Sequence, residues 1–233
     1  MGMTVADKIA ALDWPALLAD LDAQGFAQTP PVYTAAECAE LAARFENGSF
    51  RSTIDMRRHR FGEGVYKYFD APLPQLVQDA REALYPPLAE LAGRWAERLG
   101  EPNGYPADLE GFLERCHQAG QPRPTPLMLR YEAGGHNTLH QDLYGEVAFP
   151  LQAVTVLDDG FEGGQFVLLE QRPRAQSRAH VIELVQGGFL LFATRMRPVE
   201  GKRGYYRSAM RHGVATVHAG RRTTLGIIFH DAA

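Results

Sequence analysis

The chain has 233 residues, 45% of them hydrophobic, and a net charge of −4. That suffices to bury a proper core as one large domain or two small ones, and no apolar run approaches the ~18 residues of a membrane helix. The start, M-G-M-T-V-A-D-K-I-A, lacks a cationic head followed by an apolar stretch, so no secretory signal is expected and Gly2 is a weak acylation signal. Cys38 and Cys116 form no zinc-type pair and fit a reducing, cytoplasmic setting.

The first half reads as helical. Asp13 is an N-cap acid, Pro15 sits in a first turn, and Gly25 ends the helix that carries Leu17, Leu18 and Leu21. Thr34-Ala35-Ala36-Glu37 forms a capping box ahead of Cys38, Leu41 and Phe45, with Gly48 as its stop. Phe50 to Phe69 has no clean period and mixes Arg51, Arg57, Arg58, His59 and Arg60 with Tyr66 and Tyr68, which suits either a substrate-facing loop or an irregular hairpin. Two helices, Leu73–Leu84 and Pro86–Leu99, are predicted next, then one over Ala107–Gln118 and a proline-rich crossover, Gln121–Pro126.

After Pro126 the pattern changes to short strands separated by Gly and Asp turns. The candidates are Leu127–Glu132, Thr138–Asp142, Phe149–Leu157, Gln165–Glu170, His180–Leu184, Phe189–Ala193, His212–His218 and Arg222–His230. Eight short strands after helices predict an α+β chain: a double-stranded β-helix, or jelly-roll barrel, at residues 126–233, buttressed by a helical region at 1–125 as one structural unit.

His140-Gln141-Asp142 places an imidazole and a carboxylate two apart, and on an extended strand both point to one face. Two histidines and one carboxylate suit non-haem Fe(II) with positions left open for reactants. The distal histidine is His212 or His218, which share a face through Val214 and Thr216. If Ala219-Gly220-Arg221 makes a hairpin loop with Gly220 left-handed, His218 pairs with Arg222, and Arg222 shares the face of His212. That places His212 deeper, with room between it and Arg222, so metal ligation is assigned to His140, Asp142 and His212. Gln141 points the other way and reads as structural.

Charge is uneven. Residues 1–116 carry 11 basic and 18 acidic side chains, a balance of −7, and residues 117–233 carry 13 and 10, a balance of +3. The densest basic run holds Arg195, Arg197, Lys202, Arg203, Arg207 and Arg211 against Glu200 alone, and it is either a nucleic-acid-facing patch or a solvated surface.

His-x-Asp, a distal His and an Arg ten residues beyond it, preceded by Y-x-x-G from Tyr131 to Gly134, resemble the Fe(II)- and 2-oxoglutarate-dependent dioxygenases, both their prolyl-hydroxylase-like and their alkylation-repair members. L-H-Q-D-L-Y-G-E, E-Q-R-P-R-A-Q-S-R and G-I-I-F-H-D-A resemble more closely a bacterial group of such oxygenases linked by inference to oxidative demethylation of damaged DNA. One departure is Gln186-Gly187-Gly188-Phe189, where an acidic turn residue is expected. The resemblance implies Fe(II) with 2-oxoglutarate and O2 as co-substrates, and hydroxylation of a substrate with release of succinate and CO2. It implies that Arg222, a permanent bidentate cation, and Tyr131 take the far carboxylate of 2-oxoglutarate, with Thr224 and Leu129 as candidate pocket-lining residues. The substrate, a protein or peptide side chain or an alkylated nucleobase, stays open, as does the oligomeric state. No membrane partner is expected. The alternative is a non-catalytic, metal-binding jelly roll, against which a co-substrate anchor beside the metal argues.

Overall fold

The helix signals act as local chemistry dictates in the computed structural model, which describes residues 2–142 and 145–233. The helices are α1 (Val5–Ala10), α2 (Trp14–Gln24), α3 (Ala35–Asn47), α4 (Gln75–Leu99) and α5 (Leu109–Gln118). Asp13 accepts from the Ala16 amide at the start of α2, and Gly25 ends it with φ 85°. In α3 the Thr34 hydroxyl accepts from the Glu37 amide while Glu37 reaches back to the Thr34 amide, so two orphan donors are satisfied reciprocally. Gly48 ends α3 in an extended conformation, φ −79°, rather than a left-handed one.

The two helices expected around Pro86 are one. Pro86 and Pro87 lie inside continuous α4. Prolines in a helix interior remove two amide donors and disfavour the helical state. Tertiary burial overrides that cost here, because Leu84, Tyr85, Leu88, Leu91, Ala92 and Trp95 all sit in the core.

The strands are β1 (Phe26–Pro31), β2 (Phe50–Asp55), β3 (Gly62–Glu63), β4 (Val65–Phe69), β5 (Leu127–Tyr131), β6 (His136–His140), β7 (Leu151–Val156), β8 (Phe161–Gly163), β9 (Phe166–Gln171), β10 (Arg178–Ile182), β11 (Gly188–Ala193), β12 (Met196–Gly201), β13 (Gly204–Val214), β14 (Val217–Gly220) and β15 (Arg222–Ile228). A seven-stranded sheet runs β1-β11-β7-β15-β5-β4-β2, and a second runs β10-β9-β13-β6-β3 with β12 on β13. The described strand pairings within both sheets are antiparallel, which matches the expected jelly roll. The first 125 residues thus contribute β1, β2 and β4 to the larger sheet as well as helices. Phe50 to Phe69 forms an irregular hairpin, with a 3-10 turn at Met56–His59 between its strands. β1, which carries Pro30 and Pro31, takes an edge, where a missing amide donor is tolerated. Among the described residues no helix is long and apolar enough to cross a membrane.

The strand expected over His212–His218 breaks. β13 ends at Val214, and β14 pairs with β8 instead of returning beside Arg222. The backbone turns because the Ala215 amide donates to the Gln165 carbonyl and the Val217 amide to that of Gly135. Gly220 is left-handed, φ 76°, as expected, but His218 does not pair with Arg222; Tyr131 does.

A buried clasp fastens helices to barrel. Arg81 of α4 donates to the Ile228 and Phe229 carbonyls and pairs with Asp231 at 2.8 Å, and Asp231 also meets His117 of α5 at 3.1 Å. Removing one partner strands a buried charge. Asp231→Ala is expected to cost about 3 kcal/mol of unfolding free energy, read as a lower urea midpoint at unchanged slope. A loss under about 1 kcal/mol would show that the two carbonyls alone satisfy Arg81.

Candidate active site

Between the sheets lies a cavity of about 460 Å³, and sheet register decides what faces it. On the smaller sheet His140, the last residue of β6, stands directly opposite His212 of β13. Asp142 follows two residues on in extended chain. His140 Nε2 lies 3.5 Å from Asp142 Oδ1, and His212 Nε2 lies 3.5 Å from Asp142 Oδ2. One ligand atom from each comes within 4.8 Å of the others, and this is the only such cluster of three among the described residues. His218 is exposed and outside it.

The surroundings orient these rings. Nδ1 of His140 lies 2.7 Å from the Thr138 carbonyl, so it carries the proton and Nε2 presents a lone pair toward Asp142. Phe166 lies nearly parallel to His212 at 5.8 Å, and Phe192 approaches at 4.9 Å. Burial opposes ionisation of Asp142, yet His212 and then His140 hold it well below the usual carboxylate range. Burial disfavours a charged His140, but its contact with Asp142 outweighs that and raises it. Burial pulls His212 down to about 4 against the attraction of Asp142. A carboxylate and two imidazole nitrogens on one side of a cavity form a donor set suited to a divalent transition metal.

Across the cavity, on the larger sheet, Arg222 of β15 pairs with Tyr131 of β5, and Thr224 pairs with Leu129 two residues along on the same face. All four line the cavity. Burial lowers Arg222 to about 10, which leaves it cationic near neutrality, and raises Tyr131 to about 12, which keeps its hydroxyl a donor. Arg222 Nη2 and the Tyr131 hydroxyl are buried without a hydrogen-bond partner among the described residues. The other buried arginines differ: Arg81 pairs with Asp231, Arg130 with Glu46 and Arg197 with Glu170. Among the described residues Arg222 is the one buried arginine without a carboxylate partner.

Gln141 donates to the Met210 and Arg195 carbonyls at 2.8 and 3.1 Å, a structural role as expected. The remaining histidines fall outside the cluster; His230 accepts from the Phe149 amide, for example. Two cavity residues escaped the sequence reading. Asn137 Oδ1 and Gln152 Nε2 are buried there with no close hydrogen-bond partner among the described residues, Asn137 facing the Tyr131 hydroxyl and Gln152 helping to hold Asp142 ionised. A lone glutamine inside the apolar strand L-Q-A-V-T-V was the available signal for the second.

The basic run of 195–211 occupies the β12–β13 hairpin. Arg197 turns inward to Glu170, and Arg207 pairs with Glu101 at 2.7 Å. The hairpin end at Gly204 is eight residues from His212 along β13, roughly 27 Å at strand rise. Most of this run therefore does not border the cavity.

A family model described as an oxygenase catalysing oxidative methylation of damaged DNA matches residues 64–232. Uncharacterized proteins of Mycobacterium tuberculosis strains CDC 1551 and H37Rv are each 48% identical over 168 residues, 71% of this chain and 72% of theirs. A Pseudomonas putida prolyl-4-hydroxylase superposes with a TM-score of 0.54 at 17% identity, covering 94% of this chain and 99% of that one. A Burkholderia pseudomallei oxidoreductase of the 2OG-Fe(II) oxygenase family gives 0.54 at 18% identity, with coverages of 94% and 93%. The chain belongs to the Oxygenase-NA family.

Proposed function

We propose that this enzyme oxidises an N-methyl group on an alkylated nucleobase of damaged DNA. Its cofactors are Fe(II), 2-oxoglutarate and O2. His140, Asp142 and His212 hold the metal. Arg222 and Tyr131 hold the far carboxylate of 2-oxoglutarate, and Thr224 and Leu129 wall that end of the cavity. The carrying observation is that, among the described residues, buried Arg222 has no carboxylate partner and stands beside the buried Tyr131 hydroxyl, in one cavity with the His-Asp-His cluster. A purely structural metal needs no anion anchor, which weighs against a non-catalytic jelly roll. The family description supports the choice of damaged DNA.

When bound, the metal and co-substrate would supply oxidative decarboxylation of the oxo acid to succinate and CO2, one oxygen atom of O2 entering the succinate and the other a substrate C–H bond. The chain's own residues set the geometry. Thr138 fixes the His140 tautomer, Phe166 and Phe192 hold His212 dry, and the cation of Arg222 orients the co-substrate. A hydroxylated N-methyl group then departs as formaldehyde, leaving the demethylated amine. Residues 1–125 and 126–233 act as one unit in this reading, because the sheet that presents Arg222 includes β1, β2 and β4.

The decisive assay follows succinate and formaldehyde when a methylated oligonucleotide is added to the Fe(II) enzyme in air. Stoichiometric release of both is expected, and stimulation by a proline-containing peptide alone would move the substrate to protein side chains. Arg222→Met should raise the KM for 2-oxoglutarate roughly 10- to 100-fold, the worth of a charge-assisted hydrogen-bond pair. An unchanged KM would remove Arg222 from that role.

Metal affinity should depend on pH through one group. Asp142 stays ionised and His212 stays neutral down to about 4, whereas His140 is raised, so below its pKa a proton must leave as metal enters. The logarithm of Co(II) affinity is therefore expected to climb with pH at a slope of about one from roughly pH 5 to beyond the ~6.5 of an ordinary imidazole, and to flatten only above the raised pKa of His140. A slope near two in calorimetric titrations would show that His212 also binds a proton there.

A further inference from the structure

The turn between β2 and β3 carries Arg57, Arg58, His59, Arg60 and Phe61 in succession, all exposed. Asp55 and Glu63 flank it, and Arg57 engages both, at 2.8 and 3.9 Å. Arg58 and Arg60 pair with no carboxylate among the described residues, so the turn presents net positive charge. Arg60 is left-handed, φ 58°, and reverses the chain so that Phe61 follows toward the cavity.

Phe61 is a lining residue of that cavity and yet 43% exposed. Its ring lies 6.1 Å from that of His59 at an interplanar angle of 28°, and 6.4 Å from that of His140. With His212 at 4.3 Å from His140, four rings lead from the surface to the metal cluster. The placement is built rather than incidental. The Phe61 carbonyl accepts from both the amide and the hydroxyl of Thr138, at 2.8 and 2.9 Å, while the Thr138 carbonyl receives Nδ1 of His140. One residue thus ties the exposed ring and the metal-cluster imidazole into a single rigid strand register.

We propose that this turn is the strand-binding element of the enzyme: Phe61 stacks a base next to the one in the cavity, and Arg58 and Arg60 hold the adjoining phosphates. This rests on the nucleic-acid reading given above. Cations alternating with a flat, half-exposed ring match a polyanion with π faces, since stacking tolerates any base and phosphate contacts carry no sequence information. The β12–β13 hairpin, richer in arginine, fits less well because Arg197 and Arg207 pair with carboxylates and none of its remaining cations lines the cavity. A base undergoing chemistry must leave its stack to enter a cavity, and a ring at the mouth replaces part of the stacking lost by its neighbour.

The test is anaerobic binding of a fluorescent single strand of about twelve nucleotides, bearing one N-methylated base, to the protein with Fe(II) and 2-oxoglutarate. Arg58→Gln with Arg60→Gln should lower the slope of log affinity against log salt by about 1.4, two contacts at about 0.7 each. Phe61→Ala should weaken binding on the order of tenfold with the salt slope unchanged, and Phe61→Trp should restore it. Thermal unfolding of each variant checks that these exposed substitutions leave the fold intact. Tight strand binding by wild type with no change in either variant overturns the assignment while leaving the nucleic-acid reading standing. No strand binding and no strand-stimulated succinate release by wild type overturns both. Binding of an acidic peptide in place of the strand, lost in the same variants, transfers the turn to protein recognition and overturns the assignment as stated.

Discussion

The site depends on one cross-strand pair. His140 and His212 can share a metal because β6 and β13 lie in a register that sets them opposite each other, where paired Cβ atoms stand about 5 Å apart. A slip of one residue in either strand would turn its own ring to the other face of the sheet and part the pair. That register is irregular just beyond the pair, between His212 and Val214, and the residue there is Gly213. A Cβ at 213 would stand 2.7 Å from the Asn137 carbonyl oxygen, so the close approach of the two strands requires glycine. Asp142 needs no pairing of its own, since extended chain brings it to the same side two residues later.

The facing sheet contributes a charge where burial makes charge expensive. An arginine removed from water is tolerated when carboxylates and carbonyls replace its hydration, and Arg81 and Arg197 meet that condition. Arg222 does not; among the described residues its guanidinium faces the rings of Tyr131 and Phe161, 5.6 and 6.0 Å away, and meets no carboxylate. An anionic ligand at this place would relieve that cost, and the same burial would make each hydrogen bond to it stronger than in water.

Much of this was legible because periodicities are rigid. The two-residue spacing of His140 and Asp142 carries over directly into a strand, and the capping boxes need only local contacts. What sequence reading missed depends on partners far away in the chain. α4 runs through Pro86 and Pro87 because its buried side chains outweigh two lost donors, and β1 accepts prolines because it sits at an edge. The expected His218–Arg222 hairpin is absent, yet Arg222 still faces the cavity with Tyr131 opposite it. Its direction is set by β5 and β7 on either side, and those pairings impose the same alternation that the imagined hairpin would have. Agreement about a face is weaker than agreement about a partner.

Charge shows the same limit from another direction. Along the sequence, residues 195–211 are the densest cationic run, but strand alternation sends Arg197 inward to Glu170, and packing against the end of α4 delivers Arg207 to Glu101. In the 57–61 turn the neighbouring carboxylates are only two, and one arginine occupies both. The field available to a polyanion is set by cations left over after such pairing, because a paired surface charge contributes little at a Debye length of about 8 Å. Leftover cations alone favour the longer run, where Arg195, Lys202, Arg203 and Arg211 have no carboxylate partner among the described residues; its distance from the cavity is what ranks the shorter turn, with Phe61 in the cavity wall, above it. Thr138 ties that turn to the reacting centre, since its backbone and hydroxyl hold Phe61 and His140 at once.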